Sequence, residues 1–193
     1  MMKTKAATIL TLMFLVSCFC ACGSSDKKDI PYGFKEAGES NDSIQGVFFD
    51  TPYGASVEEL VSNFDIAGFS PDAQKSTDDM LSFKYRNDKR FGFEGKGWEN
   101  LMVYFVDNQF CEISFFNIFN NKDDALKDYD DLLKKISSKY KMTEMEPWNK
   151  ETIKTHTAIS QTDEMMSILC DSCLTEDKKV QYKVNLQYYI KNL

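Results

Sequence analysis

Val180 to Ile190 alternates without a break. Val180, Tyr182, Val184, Leu186, Tyr188 and Ile190 stand against Gln181, Lys183, Asn185, Gln187 and Tyr189. A period of two marks a strand with one face buried. Met80 to Arg86 reads the same way, with Leu81, Phe83 and Tyr85 on one side. Leu101 to Val106 is wholly apolar, which predicts a strand covered on both sides. Asp107-Asn108-Gln109 is a turn, and Phe110 to Phe119 returns with Cys111, Ile113 and Phe115 inward, so the pair predicts an antiparallel hairpin. Phe116 and Ile118 then change face, which predicts a bulge there. Further strands are expected at Val47 to Phe49, Met142 to Met145, Thr152 to Ser160 and Met165 to Cys170.

Two segments carry the helical period. Ser56-Val57-Glu58-Glu59 is a capping box, and Val57, Leu60, Val61 and Phe64 follow at helical spacing, with Gly68 as the stop. Asn121 caps the second helix, and Asp123 and Asp124 suit its first turn. Its apolar stripe is Leu126, Tyr129, Leu132, Leu133, Ile136 and Tyr140. The fold class is therefore α+β: an antiparallel sheet with two helices packed on one face. Helix and then strands occur twice, over 46–119 and 120–193. This predicts two tandem helix-plus-strands repeats within one domain, 46–193. The pattern resembles the tandem-repeat β-lactamase-inhibitor-protein fold and small outer-membrane assembly lipoproteins, as fold-level analogy.

The first 25 residues have a different character. Lys3 and Lys5 precede an apolar run from Ala6 to Val16. That run is too short for the roughly 20 residues that cross a bilayer, so it reads as an export signal. Leu15-Val16-Ser17-Cys18 resembles the lipobox of bacterial lipoproteins. The resemblance implies a signal peptide over 1–17 and acyl chains such as palmitate on Cys18. Cys22, before Gly23-Ser24-Ser25, is the alternative site. It also implies a cell-envelope location, at an outer membrane or the cell surface, because Phe19 rather than Asp follows Cys18. Residues 18–45 are polar apart from a few positions and read as a lipidated flexible tether, with an end-to-end distance of about 30 Å.

Charge and composition narrow the function. The chain of 193 residues carries −7, and loss of residues 1–17 removes two lysines and no acid, leaving 176 residues at −9. Such a surface argues against nucleic acid and against charge-driven binding to anionic lipid. The membrane would hold the protein through its covalent lipid.

Candidate chemistry is sparse. No Gly-x-Ser-x-Gly, His-Glu-x-x-His or phosphate loop occurs. Gly92-Phe93-Glu94-Gly95-Lys96-Gly97 reads as a hairpin turn. His156, the single histidine, reads as a surface residue opposite Ile153 and Ile159. Cys170-Asp171-Ser172-Cys173 has the spacing of a redox pair or half a zinc site, placed at a turn between strands; a strand-end disulfide or idle thiols is the plainer expectation. Asp78-Asp79, Asp123-Asp124 and Asp130-Asp131 read as solvated surface. Phe91, Phe93 and Trp98, in a Gly-containing loop after Arg90, are a candidate binding surface or else core; Trp148 has the same ambiguity. No cofactor or metal is expected. The expectation is a non-catalytic module that binds another envelope protein; the alternatives are a thiol-redox protein using Cys170 and Cys173, or a small-ligand or carbohydrate binder.

Overall fold

The computed structural model describes residues 40–191 except 88, 148 and 176. The expected leader, both lipidation candidates and Trp148 lie outside the described residues.

The chain first forms a small hairpin, β1 (Val47–Phe48) with β2 (Thr51–Pro52). Helix α1 (Val57–Ile66) follows, and the Ser56 hydroxyl accepts from the Glu59 amide at 3.2 Å. This satisfies one of the orphan N–H groups at the helix start. Leu60 and Phe64 are its buried face. The helix stops at Gly68, whose φ of +95° is left-handed. A Cβ there would also meet the Tyr85 ring at 3.0 Å, so only glycine fits.

Strands β3 (Phe69–Pro71) and β4 (Met80–Tyr85) come next, then the short hairpin β5 (Phe91–Phe93) and β6 (Lys96–Trp98). Strands β7 (Asn100–Val106) and β8 (Gln109–Phe119) are joined through Asp107 and Asn108, both at positive φ, as a two-residue hairpin turn requires. Helix α2 (Lys122–Ile136) carries acids in its first turn and Lys134 and Lys135 in its last, which suits the helix dipole. The Asn121 side chain accepts from the Asp123 amide at 2.7 Å. The chain closes with β9 (Thr143–Glu144), β10 (Thr152–Ile159), β11 (Glu164–Leu174) and β12 (Val180–Ile190).

Eight strands form one sheet in the order β3-β4-β7-β8-β12-β11-β10-β9, every neighbour antiparallel. The class is α+β as the sequence predicts, weighted toward sheet. Both helices share one core with the same sheet face. Leu60 and Phe64 of α1, and Tyr129, Leu132 and Ile136 of α2, pack in a cluster with Leu101, Val103, Ile113, Phe115, Val184, Leu186 and Ile168. Each fully buried side chain of this size stabilises by about 1.5–3 kcal/mol. That burial, more than helix propensity, holds the two helices down.

Strand β7 departs from expectation, being covered on one side only: Leu101, Val103 and Phe105 are buried, while Met102, Tyr104 and Val106 are half-buried. An all-apolar run hid the alternation because Met and Tyr tolerate a half-wet position. The bulge of β8 is not at Phe116. The register passes from Tyr104↔Glu112 to Phe105↔Phe110, so Cys111 is the extra residue. Its thiol donates to the Tyr104 carbonyl at 3.3 Å, and the bulge lets Phe110 and Ile113 both turn inward.

Residues 41–45, which the sequence assigns to the tether, take part in the fold. Asn41 pairs with Ser160, and its amide donates to the Ile159 carbonyl at 2.7 Å. Its side chain bonds both the amide and the carbonyl of Lys141, at 2.7 and 3.2 Å. Ile44 lies in the core.

Candidate functional site

Strand geometry separates the two thiols of the Cys-x-x-Cys. Both cysteines lie inside β11, with Cys170 opposite Val184 and Cys173 opposite Gln181. Residues three apart in a strand point to opposite faces and stand about 10 Å apart along it, beyond the roughly 4.4–6.8 Å that a disulfide spans. Both thiols are free, and Cys170 is fully buried in the helix-side core. Burial, with Asp171 beside it, pushes the Cys170 thiol up to about 11. Burial raises Cys173 as well. Raised thiols are poor nucleophiles at neutral pH. The expected turn between the strands begins only after Leu174, so a paired redox centre or half a zinc site does not form here.

His156 is not a surface residue. It sits half-buried on the helix side, and its Nδ1 lies 2.6 Å from the hydroxyl of Tyr129, which is fully buried on α2. With the ring neutral, the hydroxyl donates and Nδ1 accepts. The sequence places His156 outward by taking the side of Ile153 and Ile159 as the core, but Ile159 lies on the helix-free face. The register runs from Thr152↔Asp171 to Lys154↔Cys170, so Ile153 is an extra residue and packs on the helix side together with His156. Glu144 is the cross-strand neighbour of His156. Lys154 lies over the Tyr129 ring at 5.7 Å and pairs with Asp130 at 3.1 Å. Burial lowers the His156 pKa; Glu144 pulls the other way.

The aromatic loop is core, not a binding surface. Phe91 and Trp98 are buried, and Phe93 stacks on Phe115 with ring centroids 4.1 Å apart and planes 10° off parallel. The Trp98 indole N–H donates to the Phe93 carbonyl at 3.0 Å, which satisfies its one polar group. Gly92 to Gly97 forms the predicted hairpin, with Glu94 and Gly95 at positive φ. Lysines fasten it to α2 and the turn beyond: Lys96 pairs with Asp128, Lys135 donates to the Gly95 carbonyl, and Lys139 pairs with Glu94. The acid pairs at 78–79, 123–124 and 130–131 are exposed. Among the described residues, no three His, Cys, Asp or Glu side chains converge as a metal site would need.

Two polar concavities border α2. A cleft of about 420 Å³ lies between Ser40–Ser43 and Lys139–Lys141. A smaller one of about 170 Å³ lies between Gly95–Lys96 and Asp128, Asp131, Leu132 and Lys135. Tyr140, in the larger cleft, is the single aromatic side chain in either lining.

The sheet face away from the helices is laid out in rows. One crosses the sheet as Ser82, Met102, Ser114, Gln187, Ser167 and Thr157. A second runs through Tyr104, Glu112, Tyr189, Met165 and Ile159. Neighbours bond sideways: Ser114 donates to Asn185 at 2.8 Å, Gln187 donates to Glu112 at 3.2 Å, and the Thr157 and Ser167 hydroxyls are 3.0 Å apart. Met102 is half-buried, and Ile118, farther along this face, is 42% exposed. Ser82, Ser114, Ser167, Thr157, Met165 and Glu112 are buried, whereas Met102, Tyr104, Gln187, Tyr189 and Ile159 are half-buried, spread along the face rather than converging on one point.

Sequence reasoning missed the Tyr129–His156 bond and the Asn41 clip. Tyr129 is visible in the sequence as a core position, but nothing local places His156 beneath it. No protein-family model matches the chain, and no curated protein or solved structure is significantly similar to it.

Proposed function

We propose that the protein is a non-catalytic, lipid-anchored module of the cell envelope that binds another envelope protein through the helix-free face of its sheet. The observation that carries this reading is the chemistry of that face. The half-buried thioether, phenol, amide and aliphatic side chains of Met102, Tyr104, Tyr189, Gln187 and Ile159 lie between buried hydroxyls, suit recognition of a surface and lack the nucleophile–base geometry that catalysis needs. Addition of a partner strand is disfavoured, because the sheet ends on β3 and β9, of three and two residues.

The strand order supports two tandem repeats. Each helix is followed by strands that meander toward the middle of the sheet, and the two sets meet where β8 pairs with β12, the last strand of each. The β5–β6 hairpin is then an insertion in the first repeat only. Anchoring at Cys18 or Cys22 would place the body beyond the lipid on the chain that leads to Asn41.

The test uses the native, acylated protein in its own membranes. Intact-mass analysis is expected to find the new N-terminus at a diacylated or triacylated cysteine. Crosslinking is expected to recover a defined protein partner. Met102→Arg and Ile118→Arg should lose it, while Lys127→Ala on the exposed side of α2 keeps it. Equal recovery with all three variants, or an unacylated intact leader, overturns the reading.

A further inference from the structure

The one histidine of this chain joins two layers of the fold at a place the docking reading does not use. Tyr129 comes from α2 and His156 from β10, and their bond of 2.6 Å bridges helix to sheet. Tyr129 is fully buried, so its hydroxyl proton depends on that acceptor. A neutral imidazole can accept at Nδ1; an imidazolium cannot, since both of its nitrogens carry protons. Protonation thus sets two donors against each other at the same contact. The hydroxyl would have to turn and accept, leaving its own hydrogen facing apolar core.

Each packed element brings its own groups to the ring. Strand β9 contributes Glu144, opposite His156. Strand β10 contributes Lys154, and α2 contributes Asp130, which pairs with Lys154 at 3.1 Å. Strand β11 presents Ile168 opposite His156, and the nearby Cys170 thiol is held neutral by burial. Glu144 and Asp130 favour a charged ring, while burial and Lys154 oppose it, and burial is the largest influence.

The same helix leads on to Asn41. Beyond α2, Lys141 bonds the Asn41 side chain through both its amide and its carbonyl. Asn41 in turn bonds Ile159, three residues from His156 on β10. The segment after α2, β10 and Asn41 form one hydrogen-bonded triangle.

We propose that the Tyr129–His156 bond is an acid-released latch: protonation of His156 loosens the second half of α2 from β10 and, through Lys141, the clip that holds Asn41. A ring harder to protonate in the latched state than in the released state favours the latched state when neutral. Stability of the latch is complete above the ordinary histidine pKa of about 6.5 and declines as pH falls below it.

The full mature chain, labelled at its single histidine, tests this by NMR and by hydrogen exchange. At neutral pH the ring is expected as the Nε2–H tautomer, titrating below the ordinary value. Between about pH 7.5 and about pH 5, exchange protection of residues 129–141 and 41–44, corrected for intrinsic rates, should fall, because the lowered histidine pKa links protonation to release. His156→Gln, which keeps an acceptor that does not titrate, should abolish that fall. Should this variant fail to fold, His156→Asn serves, since it too removes the titrating ring and keeps a polar side chain; the fall should vanish there too. A histidine that titrates at or above its ordinary value overturns the latch, and so does an acid-dependent loss of protection that survives either substitution.

Discussion

Cys170 and Cys173 stand on opposite faces of one strand, the first sealed in the core and the second half-buried on the far side. The spacing that makes a redox motif at a helix start makes two unrelated thiols in an extended chain. A disulfide-specific reagent should therefore leave the mass of the folded protein unchanged. Thiol titration at neutral pH is expected to find Cys170 unreactive until the protein is unfolded, because its pKa is pushed up to about 11. Fast labelling of Cys170 in the native state would contradict this placement.

The β5–β6 hairpin has too few residues to persist alone and depends on its side chains. Trp98→Ala removes a fully buried ring and the donor to the Phe93 carbonyl. It is expected to destabilise by about 3–5 kcal/mol, the range for large aromatic truncations in cores. Urea denaturation with the slope compared between variants measures it.

Lys96 and Asp128 form a mostly covered ion pair, with side chains 13% and 22% exposed. Lys96 also sits 5.2 Å from the Trp98 ring. Asp128→Ala leaves that ammonium without its carboxylate over a buried ring. The expected loss is about 1–3 kcal/mol, below the value for fully buried pairs because water still reaches both groups. A double-mutant cycle with Lys96→Met should recover part of it.

Asp72 and Lys84 predict an acid dependence. The Lys84 ammonium, 3.0 Å away, holds the Asp72 carboxyl below its usual range, and the Gln74 amide adds a second bond. A carboxyl lowered in the folded state stabilises at pH above the unfolded value, about 3.9, and that stabilisation is lost as pH falls through the lowered folded value. The stability difference between the parent and Asp72→Asn should be constant near neutrality and shrink in acid. A difference independent of pH down to strong acid would show that the pair contributes nothing through its charge.

Asn41→Ala tests the clip between Asn41, Lys141 and Ile159. It deletes the side-chain bonds to Lys141 and Ile159 while leaving the backbone pairing to Ser160 possible. Faster limited proteolysis near residues 40–44 is expected, with an overall loss of about 1–3 kcal/mol for an unsatisfied buried set.

What local sequence determined was the kind and place of most elements. The Ser56 and Asn121 caps, the Asp107-Asn108 turn and the unbroken alternation of Val180–Ile190 each act within a few residues, and local rules read them correctly. What the tertiary structure decided was which side each residue faced and what it met. The helices cover the side of β10 that carries His156 and not the side of Ile159, an extra residue at Ile153 brings that isoleucine to the His156 side, and the bulge of β8 lies at Cys111 rather than Phe116. The length of β11 carried Cys173 past the expected turn. The pairing of β8 with β12, and of Asn41 with Ser160, joins residues far apart in the chain. Periodicity reports only neighbours along the backbone, whereas phase and partner are set by hydrogen bonds between distant strands, and one inserted residue reverses the phase.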